Sequence, residues 1–305
     1  MQVTLKPLDQ QVMVLTGASS GIGLATAHAA AERGAAVVLL ARSAQAITSI
    51  AEDIRGAKGR ALAVPCDVSD RVQVETAARA AINAFGRFDT WVNNAGVSIF
   101  GRIEEVSQED ARRLFDTNFW GVLNGCLAAL PHLKRSGGAL INVGSEVSEA
   151  ALPLQGIYAA SKHAVKGLTD TLRIEVCEVE EAPVAITLIQ PTAVNTPYPV
   201  HARNYMAREP KLPTPQIGPE RVAEAILDAA QKPTRYAKVG AMASINTAMA
   251  KVMPGLADRM AAKQVDRQQE PFPAMHRAGA LHLPSDTTGS VGQVHGTPSP
   301  DDTRR

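Results

Sequence analysis

Cysteine is scarce in this chain. Cys66, Cys126 and Cys177 are its whole complement in 305 residues. An odd, sparse set with no CxxC pair gives neither a disulfide framework nor a zinc site, and no metal centre is expected. Cys126 and Cys177 fall among apolar residues of expected helices and read as small buried hydrophobes. A long hydrophobic run is also missing: no stretch approaches the roughly 18 apolar residues that a membrane-spanning helix needs. Neither charge is in excess, because 31 Lys and Arg stand against 30 Asp and Glu, for a net charge of +1. That balance offers no electrostatic attraction to nucleic acid or to an anionic membrane. The opening residues, MQVTLKPLDQQ, lack the apolar core of a signal peptide. The expectation is a reducing, cytoplasmic compartment.

What is present is ordinary globular composition, 45% hydrophobic and 20% charged, in a chain long enough to bury a full core. Over residues 1–240 two textures alternate. Short aliphatic runs occur at Val12–Leu15, Ala36–Leu40, Ala61–Val64, Thr90–Val92, Ala139–Val143 and Ala185–Ile189. Between them lie Ala-rich stretches with helical spacing: Ile22–Arg33, Ala44–Arg55, Arg71–Phe85, Gln108–Leu133 and Tyr158–Val179. This alternation predicts an α/β fold, a Rossmann-type doubly wound parallel sheet flanked by helices in a single domain. The runs are almost continuously apolar, as strands covered on both faces should be. RYAKVG at 235–240 reads as a last strand. Residues 241–270 read as a C-terminal helical extension whose Met242–Met260 stripe covers a surface or a partner subunit, with core packing ranked ahead of a dimer interface and of peripheral membrane contact. Residues 271–305, rich in Pro, Gly, Ser and Thr, read as a mobile tail that can be removed at little cost.

Two clusters carry chemistry. Directly after the first strand comes TGASSGIG, Thr16 to Gly23, followed by a helix. Gly17, Gly21 and Gly23 allow a tight turn and a close approach of backbone to a pyrophosphate, which then meets the positive end of a helix. No GK[ST] follows, which argues against a triphosphate-binding loop. The second cluster is Tyr158-Ala-Ala-Ser-Lys162. Tyr and Lys at i and i+4 share one helix face. A neighbouring ammonium favours the phenolate and should lower the Tyr158 pKa, so that the phenol can give a proton to a carbonyl or take one from an alcohol. Ser145 ends a strand 13 residues before Tyr158, at the sheet edge where open α/β folds bind ligands. Asn118 sits inside an apolar helix and needs partners there.

These motifs, in this order, resemble the short-chain dehydrogenase/reductase family. The resemblance runs from about Val12 to Gly240 and includes the glycine loop, Asp67-Val68, Asn93-Asn94-Ala95-Gly96, Asn118, Ser145, Tyr158 and Lys162. It implies an NAD(P)(H)-dependent oxidoreductase acting on an alcohol or carbonyl substrate. Tyr158 is then the acid/base, Ser145 holds the substrate oxygen, Lys162 binds ribose and tunes Tyr158, and Asn118 holds a relay water. The cofactor contacts it implies are Gly17, Ser19, Ser20, Gly21, Ile22 and Gly23 in the loop, and Asp67, Val68, Asn94, Ala95 and Gly96 around the adenosine. At the nicotinamide end they are Tyr158, Lys162, Pro191, Val194 and Thr196. The family position that selects NAD by a carboxylate falls at Ala41; Arg42 and Ser43 follow, so NADP(H) is the expected preference, with NAD(H) as the other cofactor. Thr192 stands where the family usually has Gly, which narrows the pocket. A homo-oligomer is expected, and residues 197–218 should form a mobile flap over the substrate. A non-catalytic cofactor sensor and a nucleotide-sugar epimerase are the competing readings. An intact tetrad speaks against the first. The loop spacing and the absence of a large C-terminal substrate domain speak against the second.

Overall fold

The computed structural model describes residues 3–284 and 292–296. Strand and helix alternate as β1 (Val12–Thr16), α1 (Gly21–Glu32), β2 (Ala36–Ala41), α2 (Ala44–Gly56), β3 (Arg60–Pro65), α3 (Arg71–Phe85) and β4 (Thr90–Asn93). A short β5 (Ile99–Phe100) precedes α4 (Gln108–Phe115), α5 (Gly121–Ser136), β6 (Gly138–Val143), α6 (Gly156–Arg173) and β7 (Val184–Pro191). The chain continues through α7 (Tyr198–His201), β8 (Arg203–Asn204), β9 (Arg208–Pro210), α8 (Pro219–Ala229) and β10 (Tyr236–Val239). It then forms α9 (Ala241–Val252), α10 (Pro254–Ala262) and β11 (Gln269–Pro273).

Seven strands form one sheet in the order β10-β7-β6-β4-β1-β2-β3, and every pairing in it is parallel. Alternate residues of each strand feed opposite faces. Met13, Leu15, Val37 and Leu39 enter one core cluster, while Val12, Val14, Val38 and Leu40 enter the other. Two buried faces are the reason these strands read as unbroken apolar runs. Strand order reverses between β1 and β4, which opens a crevice at their carboxyl ends. The helices around it start on side-chain caps: Ser43 accepts from Ala46 N at α2, Asp70 from Val72 N and Gln73 N at α3, and Ser107 from Asp110 N at α4. Among the described residues no helix is long and apolar enough to cross a membrane.

Several elements depart from the sequence expectations. The helix expected over Gln108–Leu133 is interrupted by a π-helical turn at Asp116–Trp120, and the one over Tyr158–Val179 ends in a π-helical turn at Ile174–Val179. An inserted residue in the helical ladder leaves hydropathy unchanged, so periodicity does not report it. Helix α8 was not expected. On α9 only Ala243 and Thr247 are buried, whereas Ile245, Val252, Met253, Leu256 and Met260 are 42–79% exposed. The stripe expected to pack on the core therefore faces outward.

The mobile tail expected from Pro271 is overturned for residues 271–284. Strand β11 pairs antiparallel with β9. Leu281 is fully buried with Val97, Ile99 and Leu114. His282 Nε2 lies 2.7 Å from Asp110 Oδ1, and Glu209 accepts from Met275 N at 2.7 Å. Few large apolar residues are needed when a segment is held mainly by its backbone. The rest of the expected tail, 285–291 and 297–305, lies outside the described residues.

Candidate active site

The glycine loop joins β1 to α1 at the crevice. Gly17 and Gly21 have φ of +67° and +53°, which L side chains rarely adopt. A Cβ on Gly23 would fall 2.1 Å from Gly17 O; this glycine does not line the cleft but lets the loop fold onto itself. Thr16 Oγ1 accepts from Asn94 N at 2.9 Å and Ala95 N at 3.0 Å, tying the end of β1 to the segment after β4. Asn94 Nδ2 returns a bond to Thr16 O at 3.0 Å.

A cleft of about 190 Å³ follows, lined by Gly17, Ser19, Ser20, Gly21, Ile22, Arg42, Ser43, Asp67, Val68, Asn94, Ala95, Gly96 and Thr196. It runs into a second cavity of about 140 Å³ that holds Ser145, Tyr158, Lys162, Pro191, Thr192 and Val194. Ile22, Asn94, Gly96, Thr196 and Tyr198 border both. The structure thus brings the expected residues into one continuous groove, apart from Gly23 and Asn118. Asn118 lies behind the groove, fully buried in the first π-helical turn. Its Oδ1 accepts from Val97 N at 2.8 Å, and its Nδ2 donates to Val97 O at 2.9 Å and Ser161 Oγ at 3.1 Å. Its side chain fastens the groove wall to α6.

Tyr158 and Lys162 project from the first turns of α6. Lys162 Nζ donates to Val143 O at 2.8 Å and stands 5.7 Å from the centre of the Tyr158 ring. Burial pushes the Lys162 pKa down to about 8. Burial also pushes the Tyr158 hydroxyl up to about 12; hydrogen bonding to Tyr198 and Ser145 opposes this and the Glu146 charge adds to it. The Tyr158 pKa thus moves upward through burial, not downward as its lysine neighbour leads one to expect.

Four residues outside the sequence expectation shape the groove. The Tyr198 hydroxyl hydrogen-bonds Ser98 Oγ at 2.6 Å and Gln155 Oε1 at 2.9 Å. Arg113 Nη2 donates to Asp67 Oδ2 at 2.6 Å and so holds the carboxylate expected to meet an adenine. Glu146 points into the inner cavity. His201 lines the outer cleft, its pKa lowered to about 4 by burial and then by Arg42. Each acts through a tertiary neighbour, and such single pairings leave no pattern in sequence. Thr192 causes no backbone strain, since its φ is not positive. The flap expected at 197–218 is stitched down by β8 on β5 and β9 on β11, and Tyr205 Oη donates to Asp110 Oδ2 at 2.7 Å.

The C-terminal segment also reaches this groove. Arg42, the expected phosphate ligand, donates through Nη1 to Leu281 O at 3.2 Å and through Nη2 to Ala280 O. Gly21 N, at the start of α1, donates to Gln293 O at 2.9 Å, and Gly292 N donates to Ser19 O at 3.0 Å. Donors suited to an anionic ligand are thus taken by peptide carbonyls.

The sequence model of the short chain dehydrogenase family matches residues 11–205. The chain belongs to that family of oxidoreductases, and its fold is the family's. It is 45% identical over 265 residues to the uncharacterized oxidoreductase YxnA of Bacillus subtilis, covering 86% of this chain and 74% of that protein. Among solved structures, it resembles an alcohol dehydrogenase of the archaeon Thermococcus sibiricus complexed with 5-hydroxy-NADP, with TM-score 0.66, 31% identity, and coverage of 75% and 94%. It also resembles a short chain dehydrogenase/reductase of Burkholderia phymatum in complex with NAD, with TM-score 0.71, 27% identity, and coverage of 89% and 99%.

Proposed function

We propose that the protein is an NADP(H)-preferring dehydrogenase/reductase that interconverts an alcohol and a carbonyl, with Tyr158 as the acid/base. The observation that carries this reading is the convergence of Tyr158, Ser145 and Lys162 on one cavity continuous with the glycine-loop cleft. The nicotinamide, when bound, supplies the hydride acceptor or donor. The glycine loop fits such a ligand, because a Cβ on Gly17 would stand 2.8 Å from Ala95 Cα and close the cradle.

In oxidation Tyr158 Oη, as phenolate, would take the hydroxyl proton of the alcohol while the bound nicotinamide would accept the hydride. In reduction Tyr158 Oη, as phenol, would give that proton to the carbonyl oxygen. Ser145 orients the substrate oxygen. Lys162, with Val143 O as the acceptor the described residues give it, keeps donors for ribose hydroxyls. Once paired there its charge is favoured, and it lowers the barrier to a Tyr158 phenolate. Asn118 positions the wall between them. Arg42 supports the NADP(H) preference: no carboxylate stands at Ala41, and Asp67 is already paired with Arg113. A phosphate can displace the neutral carbonyls now on Arg42, because it adds an opposite full charge and a bidentate geometry that a peptide carbonyl lacks. NAD(H) remains the second cofactor.

A reducing compartment accords with three free cysteines, and a homo-oligomer with the exposed apolar stripe on α9 and α10. The test is initial rates at 340 nm with NADPH and NADH over a panel of aldehydes and ketones. Carbonyl-dependent oxidation, faster with NADPH, is expected; absence of any carbonyl-dependent rate would sink the reading.

A further inference from the structure

Glu146 follows Ser145 directly and lines the cavity that holds Tyr158 and Lys162. Two side chains from distant parts of the chain fix it. Thr192 Oγ1, after β7, donates to Glu146 Oε2 at 3.2 Å, and Asn246 Nδ2, on α9, donates to the same oxygen at 2.9 Å. The other oxygen, Oε1, has no partner among the described residues. Among the described residues no lysine, arginine or histidine pairs with this carboxylate. Glu149, three residues on, makes a useful contrast: Lys238 and Lys251 pair with it, and Gln190 donates to it at 2.8 Å. The fold therefore neutralises one glutamate and leaves its neighbour with neutral donors at a cavity that also presents Val147, Leu152, Leu212 and Pro213. A carboxylate in such surroundings is costly to bury unless a hydrogen-bond donor or a cation meets it.

We infer that Glu146 is a specificity-determining residue whose Oε1 accepts a hydrogen bond from a donor group on the substrate close to the reacting carbon. The substrate class is then a vicinal diol, an amino alcohol, or the corresponding hydroxy- or amino-carbonyl compound, rather than a simple alcohol or ketone. Thr192 has a role in this arrangement: a glycine there could not hold Oε2. The C-terminal extension supplies the second clamp through Asn246.

The inference rests on the oxidoreductase reading and is tested separately from it. Full-length protein with NADP⁺ is assayed with 1,2-propanediol, 1-amino-2-propanol, 2-butanol and 1-methoxy-2-propanol. The first two carry a donor beside the carbinol. 2-Butanol replaces it with a methyl of similar size, and the methoxy compound keeps the oxygen without the proton. The expected kcat/KM for at least one donor-bearing alcohol exceeds that for 2-butanol and the methoxy compound by about tenfold or more, since a site built to bind a donor rejects an analogue without one. Whether the diol or the amino alcohol leads identifies hydroxyl or ammonium as the group recognised.

Glu146→Gln gives the sharper reading. Thr192 and Asn246 both donate to one oxygen, so the amide carbonyl must take that place and the NH₂ group must face the cavity. An acceptor becomes a donor at nearly constant volume. The order among substrates is expected to reverse, with 1-methoxy-2-propanol gaining on 1,2-propanediol. Equal kcat/KM values across the four alcohols in the wild type, or an order that Glu146→Gln leaves unchanged, overturns the inference while leaving the oxidoreductase reading intact.

Discussion

Tyr198 stands edge-on to Tyr158, with ring centres 5.5 Å apart and planes at 70°. Tyr158 is held from one side by its own helix and from the other by a residue that follows β7. Removing only the Tyr158 hydroxyl should therefore leave the ring packed. Tyr158→Phe is expected to fold and to bind cofactor, and to lose about 10²–10⁴ in kcat, the range for a general acid–base. Wild-type turnover in this variant would remove Tyr158 from the mechanism.

Lys162 carries a measurable stability penalty. It loses its proton at about 8 in the folded protein, against 10.5 as the ordinary value. Between those values the unfolded chain binds more protons, so stability rises with pH across that window and is penalised below it. Lys162→Met should stabilise the cofactor-free protein at pH 6–7 by up to about 3 kcal/mol, and that gain should vanish by about pH 10.5 while cofactor affinity falls. Tyr158 has the opposite sign. It keeps its proton to about 12 when folded, so its contribution to stability is lost as pH climbs from about 10 toward 12. Thermal melts of both proteins across pH 6–11 check the two slopes; a destabilised Lys162→Met at pH 6–7 contradicts the first.

Arg42→Ala should shift cofactor preference toward NAD(H). Loss of charge-assisted bonds to a 2′-phosphate corresponds to roughly 1.5–3 kcal/mol, or about ten- to a hundredfold in the ratio of kcat/KM for NADPH over NADH. An unchanged ratio removes Arg42 from cofactor selection.

Deletion of residues 271–305 should lower Tm by on the order of 5 °C or more, since it exposes the sites filled by Leu281 and Ala280 and removes the β11 pairing. A deletion variant that melts with the full-length protein would show these contacts to be energetically idle.

Most of the sheet is legible in the sequence, and physical reasons separate what is from what is not. Strands β1, β2 and β6 are buried on both faces, so their residues are apolar almost throughout, Thr16 and Asn142 excepted. The glycine loop is legible because φ values near +60° and a 2.1 Å clearance at Gly23 admit little else. Tyr158 and Lys162 are legible because one helix face sets their spacing. Helix α8 is less so, as it starts from Pro219 behind a proline-rich stretch. Leu281 gives no periodic signal, since one buried leucine anchors a segment otherwise held through its backbone. Glu146 is a glutamate in a short turn until Thr192 and Asn246, 46 and 100 residues later, show which way it points.

The carbonyls resting on Arg42 and Gly21 make the C-terminal segment a tethered competitor whose local concentration never dilutes. A cofactor that uses those two donors binds only molecules whose segment has let go, so its apparent dissociation constant exceeds the intrinsic one by the inverse of the open fraction. By linkage, a cofactor that takes those two donors would loosen residues 277–284 and 292–296. Amide exchange in those residues would then quicken on adding NADP⁺, whereas a ligand that merely tightens its host slows it. The far end of the chain would then report on the occupancy of the crevice at its beginning.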